Sequence, residues 1–192
     1  MKEELILVNE ADQVIGVGEK FQTHVIGALH RAFSVYIFNS AGQLLLQKRG
    51  STKYHSPGLW SNTCCGHPRP GESIREASRR RLAEEMGFDC EATEAFEFIY
   101  HVKLDNGLYE HEYDHVMIGK FDGSPTPDRD EVAEWKWMDL PTIKFDIEKH
   151  PEAYTYWFRI SLDSLCSSLK SFGVDADKLE DPAVECITIR SS

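Results

Sequence analysis

Short apolar runs alternate along the chain with turn-forming residues, and the spacing inside each run separates strands from helices. Glu4 to Val8 and Val14 to Val17 flank a polar Asn9 to Gln13 segment, a pattern that predicts an N-terminal hairpin closing one edge of the domain. Ala32 to Phe38 is rich in β-branched and aromatic residues, and Gln43 to Lys48 alternates beyond an Asn39 to Gly42 turn, which predicts a second hairpin. Ala95 to Leu104 and Tyr109 to Phe121 predict two long strands joined at Asp105-Asn106-Gly107. Val132 to Met138 predicts a further strand with Trp135 and Trp137 on one face.

Two stretches carry helical periodicity. Glu72 to Met86 has no internal Gly or Pro and is closed by Gly87, with Ile74, Ala77, Leu82 and Met86 on one stripe. Pro151 to Lys170 reads as an amphipathic helix with Ala153, Tyr156, Trp157, Ile160 and Leu169 toward its apolar side. Strands, helix, strands and helix in that order lack the regular alternation of a doubly wound sheet. The expected fold is α/β of the α+β kind, a mixed β-sheet with flanking helices. A single domain is expected over residues 1–170, with 171–192 as a C-terminal tail to which no role is assigned.

Charged residues break the apolar pattern in two places. Arg81 and Glu85 fall on the buried stripe of the Glu72 to Met86 helix, where they must pair, meet a metal or face a polar cavity. An i,i+4 salt bridge at the core edge would also satisfy them. In Glu110-His111-Glu112-Tyr113 the two carboxylates share one face of a strand and repel, so a cation between them is a natural remedy and a solvated acidic face the alternative. Ahead of both lies Trp60 to Pro70, a loop with Cys64, Cys65, His67 and Pro68 that leads into the helix. His24 and His30 are six apart, which fits neither one helix face nor a zinc-finger spacing and carries little weight alone.

Composition narrows the classes. With 21 basic and 32 acidic residues the net charge is -11, so no nucleic-acid or membrane partner is expected, and an anionic ligand needs a local basic or metal site. Five irregularly spaced cysteines, no CxxC pair and no charged-then-apolar leader point to reduced thiols and a cytoplasmic location. The longest apolar runs are far too short to span a bilayer.

Gly66, Glu72, Arg80, Leu82, Glu84, Glu85, Gly87 and Phe88 stand in the register of the Nudix signature, a loop-helix-loop written G-x5-E-x7-R-E-U-x-E-E-x-G-U, where U is a bulky apolar residue. The central stretch resembles that signature with one departure: Arg81 replaces the first Glu of the REUxEE core. A cation there weakens metal binding and strengthens anion binding. With Asn62-Thr63-Cys64-Cys65-Gly66-His67-Pro68, the two N-terminal histidines, Tyr100 ahead of the Glu110/Glu112 strand and the late Trp157, residues 5 to 165 resemble the type 1 isopentenyl-diphosphate isomerase family, a Nudix-fold branch that keeps the diphosphate intact.

The resemblance implies an intramolecular isomerase in isoprenoid biosynthesis, moving the double bond between isopentenyl diphosphate and dimethylallyl diphosphate through a carbocation-like intermediate. It implies Cys65 and Glu112 as the acid–base pair, with Tyr100 beside Glu112 and the order of proton transfer left open. Cys65 rather than Cys64 is assigned because it directly precedes Gly66-His67-Pro68. His24, His30, His67, Glu110 and Glu112 are implied as ligands of one ion, a nitrogen-rich set that suits Zn²⁺ or Mn²⁺. A Mg²⁺ on the substrate diphosphate is implied at Glu85, with the Cys65 backbone carbonyl as a further donor. Lys20, Arg49, Lys53 and Arg81 are implied as diphosphate-binding cations, and the Trp157 indole as the electron-rich partner of the carbocation. A monomer acting on a small-molecule substrate is expected. The alternatives are a Nudix hydrolase cleaving a nucleoside diphosphate derivative and a non-catalytic diphosphate-binding module.

Overall fold

A computed structural model of the chain describes residues 3–104 and 106–174. The 175–192 stretch and Asp105 of the expected turn lie outside the described residues. Strands β1 (Glu4–Val8) and β2 (Val14–Glu19) form the expected hairpin, and the short helix α1 (Lys20–Ile26) follows, capped by the Glu19 carboxylate. The long strand β3 (His30–Phe38) is the spine of the sheet. It lies parallel to β8 (Tyr109–Lys120) from His30 opposite Glu112 to Phe38 opposite Lys120, and β8 in turn pairs antiparallel with β7 (Ala92–Lys103).

The hairpin expected between β3 and β4 (Leu44–Arg49) holds only at its turn, where Phe38 faces Leu44. Beyond that point the strands part and take different partners. Strand β6 (Cys64–Gly66) pairs with β3, while β5 (Trp60–Ser61) and β9 (Val132–Met138) pair with β4. The loop read as irregular thus contains two short strands, because the diverging backbones of β3 and β4 need hydrogen-bond partners that they no longer supply to each other.

Alternation along β3 splits the core in two. Tyr36 and Phe38 join Leu44, Leu46, Val116 and Ile118 against α4 (Tyr156–Ser168) and α3 (Leu140–Lys149), whereas Phe33, Val35 and Ile37 join Leu45 and Met117 against α2 (Ile74–Met86). Helix α2 starts two residues later than expected, since Ser73 is an N-cap in a reciprocal capping box with Glu76. It ends as expected at Gly87, whose φ of 72° is left-handed. Trp135 and Trp137 both pack on the α2 side.

The last third corrects the expectation most. Helix α3 was not anticipated, although Asp139 capping ahead of Pro141 is a helix-start pattern. The single helix expected over Pro151 to Lys170 is broken: Pro151–Ala153 is a 3-10 turn, Tyr154 bridges to Trp60 and Thr155 donates to the Trp60 carbonyl at 2.9 Å before α4 begins. Its buried side is Trp157, Phe158, Ser161, Leu162 and Leu165; Tyr156 is only half-buried and Ile160 is exposed, so the expected face was rotated by about one position. Among the described residues no helix is long and apolar enough to cross a membrane.

Candidate functional site

The site gathers where β3 and β4 part. His24 comes from α1, His30 opens β3, and His67 follows β6. The Nδ1 of His24 bonds the Lys20 carbonyl at 2.7 Å, and that of His30 bonds the Ala28 carbonyl at 2.9 Å. Both rings are therefore fixed with Nε2 turned to the acidic strand, 3.5 Å from Glu110 Oε2 and 3.6 Å from Glu112 Oε1. His67 Nε2 reaches Glu112 Oε1 at 3.0 Å. The two carboxylates expected on one face of a strand are both buried, which rules out the solvated acidic face.

Donor atoms of His24, His30 and His67 lie within 4.8 Å of one another, as do those of His30, Glu110 and Glu112. His30 Nε2 and Glu110 Oε2 are buried with no hydrogen-bond partner. Such orphaned acceptors are destabilising unless something fills the space between them, and imidazole nitrogens mixed with carboxylate oxygens are the donor set of a divalent transition metal. Each of the two groups, which share His30, offers a donor set that fits a divalent metal ion. A further grouping, Glu94, Glu97 and His115, is apart from it and is tied into an ion-pair network through Asp12 and Arg31.

Glu110 and Glu112 are held differently. Burial and the charge of Glu112 push Glu110 up. Burial also opposes the Glu112 charge, but the imidazoles of His30 and His67 outweigh it and hold Glu112 well below the usual carboxylate range. The Tyr100 hydroxyl donates to the other Glu112 oxygen at 2.6 Å, and burial beside that carboxylate keeps the phenol protonated.

The adjacent cysteines separate by face. Cys64 packs into the α2 side of the core, whereas Cys65 points the other way and lines a cavity of about 690 Å³. Cys65 Sγ donates to Asn62 Oδ1 at 3.1 Å and sits 3.6 Å from Ser34 Oγ, which itself donates to Asp114 at 2.7 Å. Burial, with Asp114 nearby, pushes the Cys65 thiol up to about 12. The cavity is also lined by Tyr100, Glu112, Trp157, Glu85 and all four expected cations. Its size lies within the ordinary range of small-molecule sites, roughly 300–1,000 Å³.

Those cations are engaged within the protein. Arg81 pairs with Glu84 at 2.6 Å, with Glu85, and with Glu131 at 3.4 Å; Lys53 pairs with Glu131 and lies 3.6 Å from Glu85. The i,i+4 pair with Glu85 therefore exists, but within a larger cluster facing the cavity. Lys20 pairs with Glu3 at 3.0 Å. Arg49 lies over the Trp157 ring at 5.3 Å, away from a simple solvated position, and the Trp157 indole N–H donates to Ser61 Oγ at 3.1 Å. Glu85 is fixed by Gln47, which donates to it at 3.0 Å.

Sequence reasoning missed Glu131, Gln47, Ser34, Asp114 and His55. Asp114 was legible, since it continues the Glu110, Glu112 alternation. His55 and Glu131 sit in loops, where periodicity carries no signal. His55 Nε2 lies 3.1 Å from Glu110 Oε1, and burial, with Arg49 and His24 nearby, pushes its imidazole down to about 2.

The NUDIX domain model matches residues 28–158, more than half of the 192-residue chain. An Aromatoleum aromaticum protein named isopentenyl-diphosphate Delta-isomerase 2 is 49% identical over 181 residues, covering 93% of this chain and 96% of its own. The chain belongs to the isopentenyl-diphosphate Delta-isomerase branch of the NUDIX family. A Burkholderia multivorans isopentenyl-diphosphate Delta-isomerase is 52% identical over 85% of this chain and 93% of its own. Among solved structures, a MutT protein from Methanosarcina mazei superposes with a TM-score of 0.61 at 19% identity, over 74% of this chain and 96% of that one. That likeness shows the shared fold.

Proposed function

We propose that the protein interconverts isopentenyl diphosphate and dimethylallyl diphosphate by an allylic 1,3-proton shift. The observation that carries this reading is one cavity lined by a thiol, Cys65, a phenol-bound carboxylate, Glu112, and a cluster of cations around Glu85. Membership of the isomerase branch supports it, with relatives near 50% identity over most of the chain.

Each side chain has a task that its surroundings support. Cys65 enters as a neutral thiol and Glu112 as a carboxylate holding the Tyr100 proton close. One of these two centres delivers a proton to one end of the allylic unit while the other removes a proton from the opposite end; the roles exchange in the reverse direction. Strands β6 and β8 carry them on the two sides of β3. The Trp157 indole gives a cation an electron-rich surface that cannot be alkylated as readily as an oxygen or a thiolate, worth about 2 kcal/mol when desolvated. Arg81, Lys53, Arg49 and Lys20 bind the diphosphate, with Arg81 and Lys53 exchanging their carboxylate partners for phosphate oxygens.

His24, His30, His67, Glu110 and Glu112 would hold a Zn²⁺ or Mn²⁺ ion, and Glu85 would hold a Mg²⁺ on the diphosphate. The first would supply charge that orients Glu112 and polarises the neighbouring phenol, the second neutralisation of phosphate.

Arg81 disfavours the hydrolase alternative. An acid at that position would add to the carboxylates that bind metal on the scissile diphosphate, whereas a guanidinium holds the diphosphate instead. Incubation with isopentenyl diphosphate and Mg²⁺, followed by ³¹P and ¹H NMR, tests the choice. Dimethylallyl diphosphate with an intact diphosphate is expected; orthophosphate release with no allylic product would sink it.

A further inference from the structure

The two oxygens of Glu110 have different surroundings. Oε2 is buried without a hydrogen-bond partner and faces His24 Nε2 at 3.5 Å, toward the cluster of donor atoms. Oε1 turns away to His55 Nε2 at 3.1 Å. A carboxylate that offers one oxygen to a cation while a neighbouring N–H holds the other is the arrangement by which ligands are oriented from outside the coordination sphere. A bare Nε2 would repel Oε1, so the stable tautomer carries its hydrogen there and leaves Nδ1 bare, and Nδ1 is indeed buried with no partner.

The His55 ring is fixed on several sides. It meets Tyr54 edge-on at 4.5 Å and Trp157 at 5.9 Å, and stacks beside His24 at 6.1 Å. Its backbone carbonyl accepts from Arg49 Nη2 at 3.2 Å. The same 50–59 loop carries Lys53, which pairs with Glu131 and approaches Glu85. Nothing in the core requires an imidazole here: a ring of this size could pack on Trp157 and Tyr54 without any nitrogen. The nitrogen aimed at Glu110 is what packing leaves unexplained.

We propose that His55 is a positioning residue of the metal centre, donating from Nε2 to Glu110 Oε1 so that Oε2 stays aimed at the ion held by His24, His30, His67, Glu110 and Glu112. The proposal rests on the reading of those five residues as metal ligands. It adds a sixth residue, outside the ligand set, and makes the 50–59 loop the physical link between the metal centre and the diphosphate cations.

The test measures Zn²⁺ affinity of the metal-stripped full chain by competition with a chromogenic chelator, separately from turnover. His55→Phe keeps the ring packing and removes the donor, and His55→Gln keeps an N–H at the position of Nε2. Zn²⁺ binding by His55→Phe is expected to weaken about 10- to 100-fold, and by His55→Gln to stay near the wild-type value. Wild-type affinity in His55→Phe overturns the proposal, and so does equal weakening in Phe and Gln, which would mark a purely steric role. A wild-type chain that binds no Zn²⁺ overturns both the proposal and the ligand set beneath it, whereas wild-type binding with no isomerisation would count against the proposed reaction alone.

Discussion

Replacing Arg81 by Gln isolates the feature that separates this helix from the acidic Nudix core. The guanidinium is shared among Glu84, Glu85 and Glu131, and the cavity it lines is also lined by Lys53, Arg49 and Lys20. On the proposed reading, a bound diphosphate would exchange those carboxylates for phosphate oxygens, with a net gain like that of hydrogen bonds to charged groups, about 1.5–3 kcal/mol. Losing it should lower kcat/KM about 10- to 150-fold. Because the diphosphate does not react in an isomerisation, the lost contact is equal in the ground and transition states, so the whole effect should fall on KM while kcat stays nearly constant. Stability should fall only on the order of 1 kcal/mol, since Glu85 keeps Gln47 at 3.0 Å and Lys53 at 3.6 Å. Steady-state kinetics with isopentenyl diphosphate, alongside a thermal melt, gives both quantities. A loss in kcat with unchanged KM would refute the reasoning, because it would mean that charge develops on the diphosphate during the reaction.

Other consequences follow from burial and backbone. Cys65→Ala should abolish turnover and Cys64→Ala retain it, as Cys64 packs under α2 and does not line the cavity; the reverse pattern would assign the wrong thiol. With its thiol near 12, Cys65 should be about one part in 10,000 thiolate at pH 8 against about one in four for a free cysteine. Iodoacetamide should therefore label it about a thousandfold more slowly than a free thiol, as read by mass spectrometry, and the rate should climb with pH; fast labelling at pH 8 would contradict the buried-thiol picture. Gly87→Ala should cost more than about 2 kcal/mol, because the left-handed backbone and the Thr126 carbonyl beside the missing Cβ both oppose it. An unchanged Tm would be inconsistent with that geometry.

Part of the site could be read from periodicity, whereas Cys65, His67, Tyr100, Trp157 and the cations other than Arg81 came from the motif resemblance alone. The strand alternation put Glu110 and Glu112 on one face and the helical period put Arg81 and Glu85 on one stripe, and both pairs lie in the site. The parting of β3 and β4 could not be read, because two apolar runs flanking a turn look the same whether they stay paired or diverge. Nor could the break before α4: Tyr154 and Thr155 leave the helical path to meet Trp60, a contact some ninety residues away in sequence. The same limit hid His55 and Glu131, whose loops place them by tertiary contacts alone. His24 and His30 illustrate the point from the other side. Their six-residue spacing matched no motif because one ends up on a helix and the other on a strand, brought together by the turn between them.

The central claim is that Cys65 and Glu112, with Tyr100, move protons across an allylic unit while the diphosphate stays whole. Turnover of isopentenyl diphosphate in D₂O with Mg²⁺ tests it most directly, because a proton delivered from a side chain that exchanges with solvent leaves its isotope in the product. Deuterium in the newly formed methyl group of dimethylallyl diphosphate, with no orthophosphate and with both Cys65→Ala and Glu112→Gln silent, is the predicted result. Product formed without deuterium, or substrate recovered unchanged from the wild-type chain, would contradict it.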